Sequence, residues 1–133
     1  MSPARLQESQ IMPKILIVDD SLTELHLLSR ILEDEGYQTL TAKDGDEWIE
    51  LARQQLPDLI LMDVVMPGLN GFQATRRLSR DPVTADIPVI MVTTKGQETD
   101  REWGLRQGAL DYMVKPVEGP SLVARVKSAL TGG

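Results

Sequence analysis

Four short apolar runs punctuate the chain, and each stops abruptly on polar residues. Ile15-Leu16-Ile17-Val18 ends at Asp19-Asp20, Leu59-Ile60-Leu61-Met62 at Asp63, Val89-Ile90-Met91-Val92 at Thr93-Thr94, and Tyr112-Met113-Val114 at Lys115-Pro116. The segment from Tyr37 to Ala42 is a weaker fifth. Continuous apolar runs without polar alternation predict strands covered on both faces, as in a parallel sheet. Between the runs, apolar positions recur at three and four. Leu22, Leu25, Leu28 and Leu32 predict a helix capped by Ser21, with Glu24 completing a capping box and Gly36 supplying the stop. Further helices are predicted over residues 45–55, 72–80, 97–107 and 119–130. Strand and helix alternate five times, which predicts an α/β fold: a doubly wound, five-stranded parallel sheet with right-handed crossovers.

Residues 1–13 are mixed and polar, with no apolar run that could act as a signal peptide. They are expected to form a flexible N-terminal extension, with Met12 a candidate alternative start. The predicted domain spans 14–130, followed by a tail of residues 131–133. No segment approaches the roughly 20 apolar residues of a membrane span, so a cytoplasmic protein without membrane insertion is expected.

Composition narrows the chemistry. The 133 residues include no cysteine, which removes disulfides, cysteine-ligated zinc and thiol catalysis. The only histidine, His26, falls inside the first predicted helix, leaving no imidazole cluster for zinc and disfavouring a Ser-His-Asp hydrolase. A net charge of −6 argues against nucleic acid as a partner, because phosphates reward Lys and Arg.

In doubly wound sheets, functional groups gather at the carboxyl ends of the strands. Here those ends carry Asp19, Asp20, Asp63, Thr93 and Lys115. Three carboxylates on one rim repel one another and need compensation. Mg²⁺ fits, since it takes carboxylate oxygens and waters and readily binds phosphate oxygens. The formal charges of three carboxylates are cancelled by one divalent cation and one ammonium. Asp19 and Asp20 point opposite ways on an extended chain, so one is expected to ligate directly and the other through water or by orienting its neighbour.

These residues resemble the receiver domain of two-component response regulators: Ile17-Val18-Asp19-Asp20-Ser21, Leu61 through Asp63 to Met66-Pro67-Gly68, Val92-Thr93 and Val114-Lys115-Pro116 occur in the family's order. The likeness covers about residues 14–130. More narrowly, Gly71 to Arg76, Thr93-Thr94-Lys95, Trp103-Gly104 and Arg106 to Ala109 are similar to the stand-alone receivers of the twitching-motility, type IV pilus branch. The resemblance implies a CheY-like, flavodoxin-like (βα)5 sandwich. It implies that Asp63 is the phosphoacceptor, and that Asp20, Asp63 and the Val65 backbone carbonyl hold Mg²⁺ while Asp19 acts mostly through water. Thr93 would hydrogen-bond the phosphoryl group, Lys115 would ion-pair with it, the Lys115–Pro116 bond would be cis, and Tyr112 falls at the switch aromatic. Val117 stands where the family often has an aromatic residue, and Val65 and Lys95 flank the path of an attacking water.

The implied partners are a CheA-like histidine kinase and an effector protein that reads the face made by residues 97–107 and 119–130. The implied activity is self-catalysed phosphotransfer and dephosphorylation rather than turnover of a substrate. Only residues 116–133 follow Lys115, enough for one helix and too few for a DNA-binding output domain. Rival readings are a phosphate sink for a shared kinase, a small Mg²⁺-dependent phosphatase and a flavin or nucleotide binder. The phosphatase would want Asp-x-Asp after the first strand. The binder would want a Gly/Ser/Thr-rich phosphate loop there, where Asp19-Asp20-Ser21 stands. Asp58 reads as turn chemistry. Met62, Met66, Met91 and Trp48 read as packing. Trp103 and Leu105 are the only large anchors expected on the helix 97–107, with Trp103 either pinned to the sheet or facing a partner.

Overall fold

The computed structural model describes residues 12–132. In chain order the elements are β1 (Lys14–Val18), α1 (Leu22–Glu33), β2 (Gln38–Ala42), α2 (Gly45–Gln55), β3 (Leu59–Met62), α3 (Gly71–Arg80), β4 (Val89–Thr93), α4 (Glu98–Arg106), β5 (Asp111–Val114) and α5 (Gly119–Leu130). The strands form one parallel sheet in the order β2-β1-β3-β4-β5. This is the predicted doubly wound architecture. Among the described residues, no helix is long and apolar enough to cross a membrane.

The unbroken apolar runs are explained by the two faces they serve. Ile15 and Ile17 of β1, Leu59 and Leu61 of β3, and Ile90 and Val92 of β4 join Leu25, Leu28 and Leu32 of α1 and Leu122 and Val126 of α5 in one core. The alternate residues, Leu16, Val18, Ile60 and Met62, join Trp48 and Ala52 of α2 and Ala74 and Leu78 of α3 in the other. Trp48 and Met66 belong to this second core, as packing residues should. A third, smaller group of Val64, Met91, Ala109 and Tyr112 lies at the β4–β5 end of the sheet.

Local signals differ from expectation in three places. Ser21 caps α1 by accepting from the Glu24 N–H, yet its own N–H donates to Asp19 Oδ1 at 2.9 Å rather than to the Glu24 side chain, so the site carboxylate replaces half of the expected capping box. Leu22, the first residue of α1, is 57% exposed, so the buried stripe of the helix starts at Leu25. On α4 Leu105 is 39% exposed instead of anchoring the helix, Trp103 is turned outward at 48%, the second of its two expected placements, and the buried residue is Gly104.

Residues 1–11, most of the expected extension, and Gly133 lie outside the described residues. Pro13 already accepts from the Gln38 N–H at 2.9 Å. Asp58 lies at the opposite rim from the strand ends, where its carboxylate accepts from the Lys14 N–H at 2.8 Å and ties β3 to the start of β1.

Candidate functional site

The site is built from the next hydrogen-bonded rung beyond three strands. The Asp19 N–H donates to Ala42 O at 3.1 Å, the Asp63 N–H to Val18 O at 3.0 Å, and the Lys115 N–H to Thr93 O at 2.8 Å. Each residue therefore keeps a strand's backbone position while its side chain emerges where the sheet stops. Asp19, Asp63 and Thr93 are 2%, 6% and 0% exposed, so the acids are held in a poorly hydrated place, whereas Asp20 faces solvent.

One carboxylate oxygen from each of Asp19, Asp20 and Asp63 lies within 4.8 Å of the others. Three hard, anionic oxygen donors at that spacing, with one side open to water, fit Mg²⁺. Lys115 Nζ reaches into the same cluster, 2.6 Å from Asp19 Oδ2 and 3.8 Å from Asp63 Oδ2.

The electrostatics follow from this crowding. Burial and the neighbouring Asp19 charge push the Asp63 carboxyl above the ordinary carboxylate range, against the opposing pull of Lys115, the Val65 N–H and Thr93. Burial alone would lower Lys115, but its bond to Asp19 and the charges of Asp63, Asp19 and Glu24 outweigh that and hold the ammonium above its usual value. The site thus contains a firmly protonated cation beside an acid that resists ionisation.

Thr93 accepts from the Lys95 N–H at 3.3 Å, and the Tyr112 hydroxyl donates to the Lys95 carbonyl at 2.7 Å. The loop after β4 is therefore held at one residue by both the threonine and the aromatic. The Tyr112 ring is buried against the β4–α4 region, and its hydroxyl is pushed up to about 12 by burial and then by the Asp100 and Asp63 charges. The Lys115–Pro116 bond is cis.

Asp19, Asp20, Asp63, Thr93 and Lys115 are brought to one rim, while Tyr112 sits among core residues beside Met91 and reaches only the Lys95 carbonyl beyond β4. Val65 is 54% exposed and its N–H donates to Asp63 Oδ1 at 3.4 Å. Sequence reasoning missed two supports. Asn70 and Gln73 form a reciprocal capping box that starts α3, a pattern legible as Asn-x-x-Gln. Gly71 lets that helix approach the end of β3: a Cβ there would lie 2.1 Å from the Asp63 carbonyl oxygen. No local pattern marks that contact, because it is tertiary.

Comparison with known proteins agrees with this geometry. Residues 15–127 match the response regulator receiver domain. The chain is 56% identical over 121 residues to Protein PilH of Pseudomonas aeruginosa, covering 91% of this chain and 100% of that one. It is 44% identical over 115 residues to the response regulator PleD of Caulobacter vibrioides, covering 86% of this chain and 25% of PleD. Among solved structures, the chemotaxis protein CheY4 of Vibrio cholerae superposes with a TM-score of 0.84 at 31% identity, over 89% of this chain and 98% of that one. With strand-end acids, threonine and lysine on one rim of a (βα)5 sheet, and with a match running almost from end to end, this chain belongs to the response regulator receiver domains, which are signalling domains.

Proposed function

We propose that this chain is a single-domain response regulator, switched by phosphorylation of Asp63 by a CheA-like histidine kinase and acting through phosphorylation-dependent protein contact. The observation that carries the reading is the convergence of Asp63 with Asp19, Asp20 and Lys115 at one poorly hydrated rim. In the proposed step an Asp63 carboxylate oxygen attacks the phosphorus of a donor phosphohistidine. The O–P bond forms as the P–N bond breaks, and the imidazole leaves with the electron pair.

Asp20, Asp63 and the Val65 carbonyl would hold Mg²⁺, with Asp19 acting through water, and the bound ion would neutralise the phosphoryl oxygens. Lys115 has only a short distance to move from Asp19 toward Asp63 to pair with the new phosphoryl group. Thr93 would turn its hydroxyl to the same oxygens and slacken its hold on the Lys95 N–H, which loosens the loop that Tyr112 also grips. The readout surface is then the α4–β5–α5 face, where Trp103, Leu105 and Val114 are exposed. Self-catalysed dephosphorylation would return the switch.

The likeness to PilH joins the narrower motif resemblance in supporting a place in type IV pilus, twitching motility, and a cytoplasmic location follows from a kinase-fed role. The deciding experiment is incubation with acetyl phosphate and Mg²⁺, followed by intact mass measurement. A gain of one base-labile phosphoryl group that is lost in Asp63→Asn supports the reading, and full labelling of that variant refutes it.

A further inference from the structure

Helix α3 is cationic in an otherwise acidic molecule. Its sequence, Gly71 to Arg80, contains three arginines and no Asp or Glu, in a chain of net charge −6. Ala74, Thr75 and Leu78 face inward, while Gln73, Arg76, Arg77 and Arg80 fall at i, i+3, i+4 and i+7 and form one exposed stripe. Among the described residues none of the three guanidinium groups has an ion-pair partner. Arg77 and Arg80 lie in the last turn and complement the helix dipole, but Arg76 does not, and the dipole accounts for no guanidinium fork.

The stripe borders an open groove of about 420 Å³, whose walls are Leu69, Gln73, Arg76, Arg77, Arg80 and Asp81. Asp81, the groove's one acid, is already engaged by Arg53. What remains is an apolar edge at Leu69 beside three donor-rich cations.

We propose that this groove docks an acidic segment of a partner protein, with an aliphatic residue against Leu69 and flanking carboxylates on Arg76, Arg77 and Arg80. Guanidinium groups take carboxylates bidentately, and unpaired ones give up no existing bond on binding. The patch is short, about 6 Å along the axis from Arg76 to Arg80 at the helical rise, which suits a few carboxylates on one segment. The acidity of the rest of the molecule repels a long polyanion such as nucleic acid. The surface lies on a different helix from the α4–β5–α5 face, so it offers a second contact rather than a restatement of the first.

The test is fluorescence anisotropy with a labelled Glu-Glu-Asp-Leu-Glu-Glu peptide, together with amide chemical-shift mapping on the full chain. Expected are saturable binding, shifts confined to residues 69–81, loss of binding when the acids are replaced by Gln, and weakening with salt. Arg76→Glu/Arg80→Glu should weaken binding by about tenfold or more, the size expected for reversing charges at an interface. Arg76→Lys/Arg80→Lys keeps the charge without the fork and should fall between that variant and wild type. An unaltered melting temperature certifies each variant as folded, and the salt and Gln-peptide arms stand without them. No binding up to about 1 mM, the weakest affinity worth assigning, overturns the proposal. So do shifts elsewhere, equal binding of the Gln peptide, or undiminished binding by the folded Glu variant. Tighter binding of single-stranded oligothymidine or of phosphatidylglycerol vesicles at the same residues would reassign the groove to nucleic acid or membrane.

Discussion

Lys115 is bonded to Asp19, not to Asp63: its Nζ is 2.6 Å from the first carboxylate and 3.8 Å from the second. The cation that would meet a phosphoryl group thus has a resting partner next door, and Asp63 is left as the less compensated of the two buried acids. That asymmetry explains why burial and the Asp19 charge prevail at Asp63 and raise its carboxyl.

Asp63→Asn should therefore stabilise the metal-free protein. A carboxyl whose folded-state value is raised binds its proton more tightly in the folded state. Its contribution is fully present below the unfolded value near 4 and is lost as pH climbs through the folded one. Asn cannot ionise, so at pH 7 in chelator the variant should melt higher than wild type, with the gain shrinking toward zero below pH 4. A variant less stable than wild type at pH 7 contradicts the assignment.

Asp20 is where the proposed metal binding can be separated from folding. It faces solvent, and Asp20→Ala should change metal-free stability by no more than about 0.5 kcal/mol. Wild type should gain stability with added Mg²⁺, about 2.7 kcal/mol at a hundredfold excess over the dissociation constant. The variant should lose most of that gain in the same titration. An Mg²⁺ response equal to wild type would place the ion elsewhere.

The strands, their parallel pairing and the gathering of Asp19, Asp20, Asp63, Thr93 and Lys115 were legible because apolar runs ending in polar residues report both burial and the rim where burial stops. The underside of α4 was not legible. Apolar size alone nominated Leu105 as an anchor and left Trp103 between the sheet and a partner, but the helix lies so close to Met91 and Tyr112 that Gly104 is the residue that meets them. The capping of α1 was half legible for a similar reason: whether Glu24 or Asp19 meets the Ser21 N–H depends on where β1 delivers its last carboxylate.

Gly104 and Trp103 should accordingly behave opposite to their sizes. A Cβ at Gly104 would lie 2.7 Å from Met91 Sδ and 3.0 Å from the Tyr112 ring. Gly104→Ala should cost about 1–3 kcal/mol despite the propensity gain of roughly 1 kcal/mol that alanine brings to a helix. Trp103→Ala should stay within about 0.5 kcal/mol, since half of the ring is already in water. Urea denaturation of the two variants decides, and the reverse ranking would sink this account of α4.

Tyr112→Phe removes the hydroxyl that holds the Lys95 carbonyl and should cost about 1 kcal/mol at neutral pH. A tyrosine pushed up to about 12 in the fold, from an ordinary 10, contributes stability that is present below pH 10 and lost as pH rises toward 12. Wild type should therefore lose more stability than Tyr112→Phe between pH 10 and 12. Equal losses would mean that the hydroxyl is not confined in solution.

The register of β1 against β3 has a consequence for how this molecule can change. Val18 lies opposite Met62, so the residues after them, Asp19 and Asp63, arrive side by side. The same pairing sends Ile15, Ile17, Leu59 and Leu61 to one core and Leu16, Val18, Ile60 and Met62 to the other. A slip of one residue would exchange both hydrophobic sets at once and part the carboxylates. The two cores thus act as a parity check on the chemistry: insertions and deletions are admissible in the connections, but within Lys14–Asp19 and Leu59–Asp63 a frame error should cost the fold both cores along with the placement of the acids.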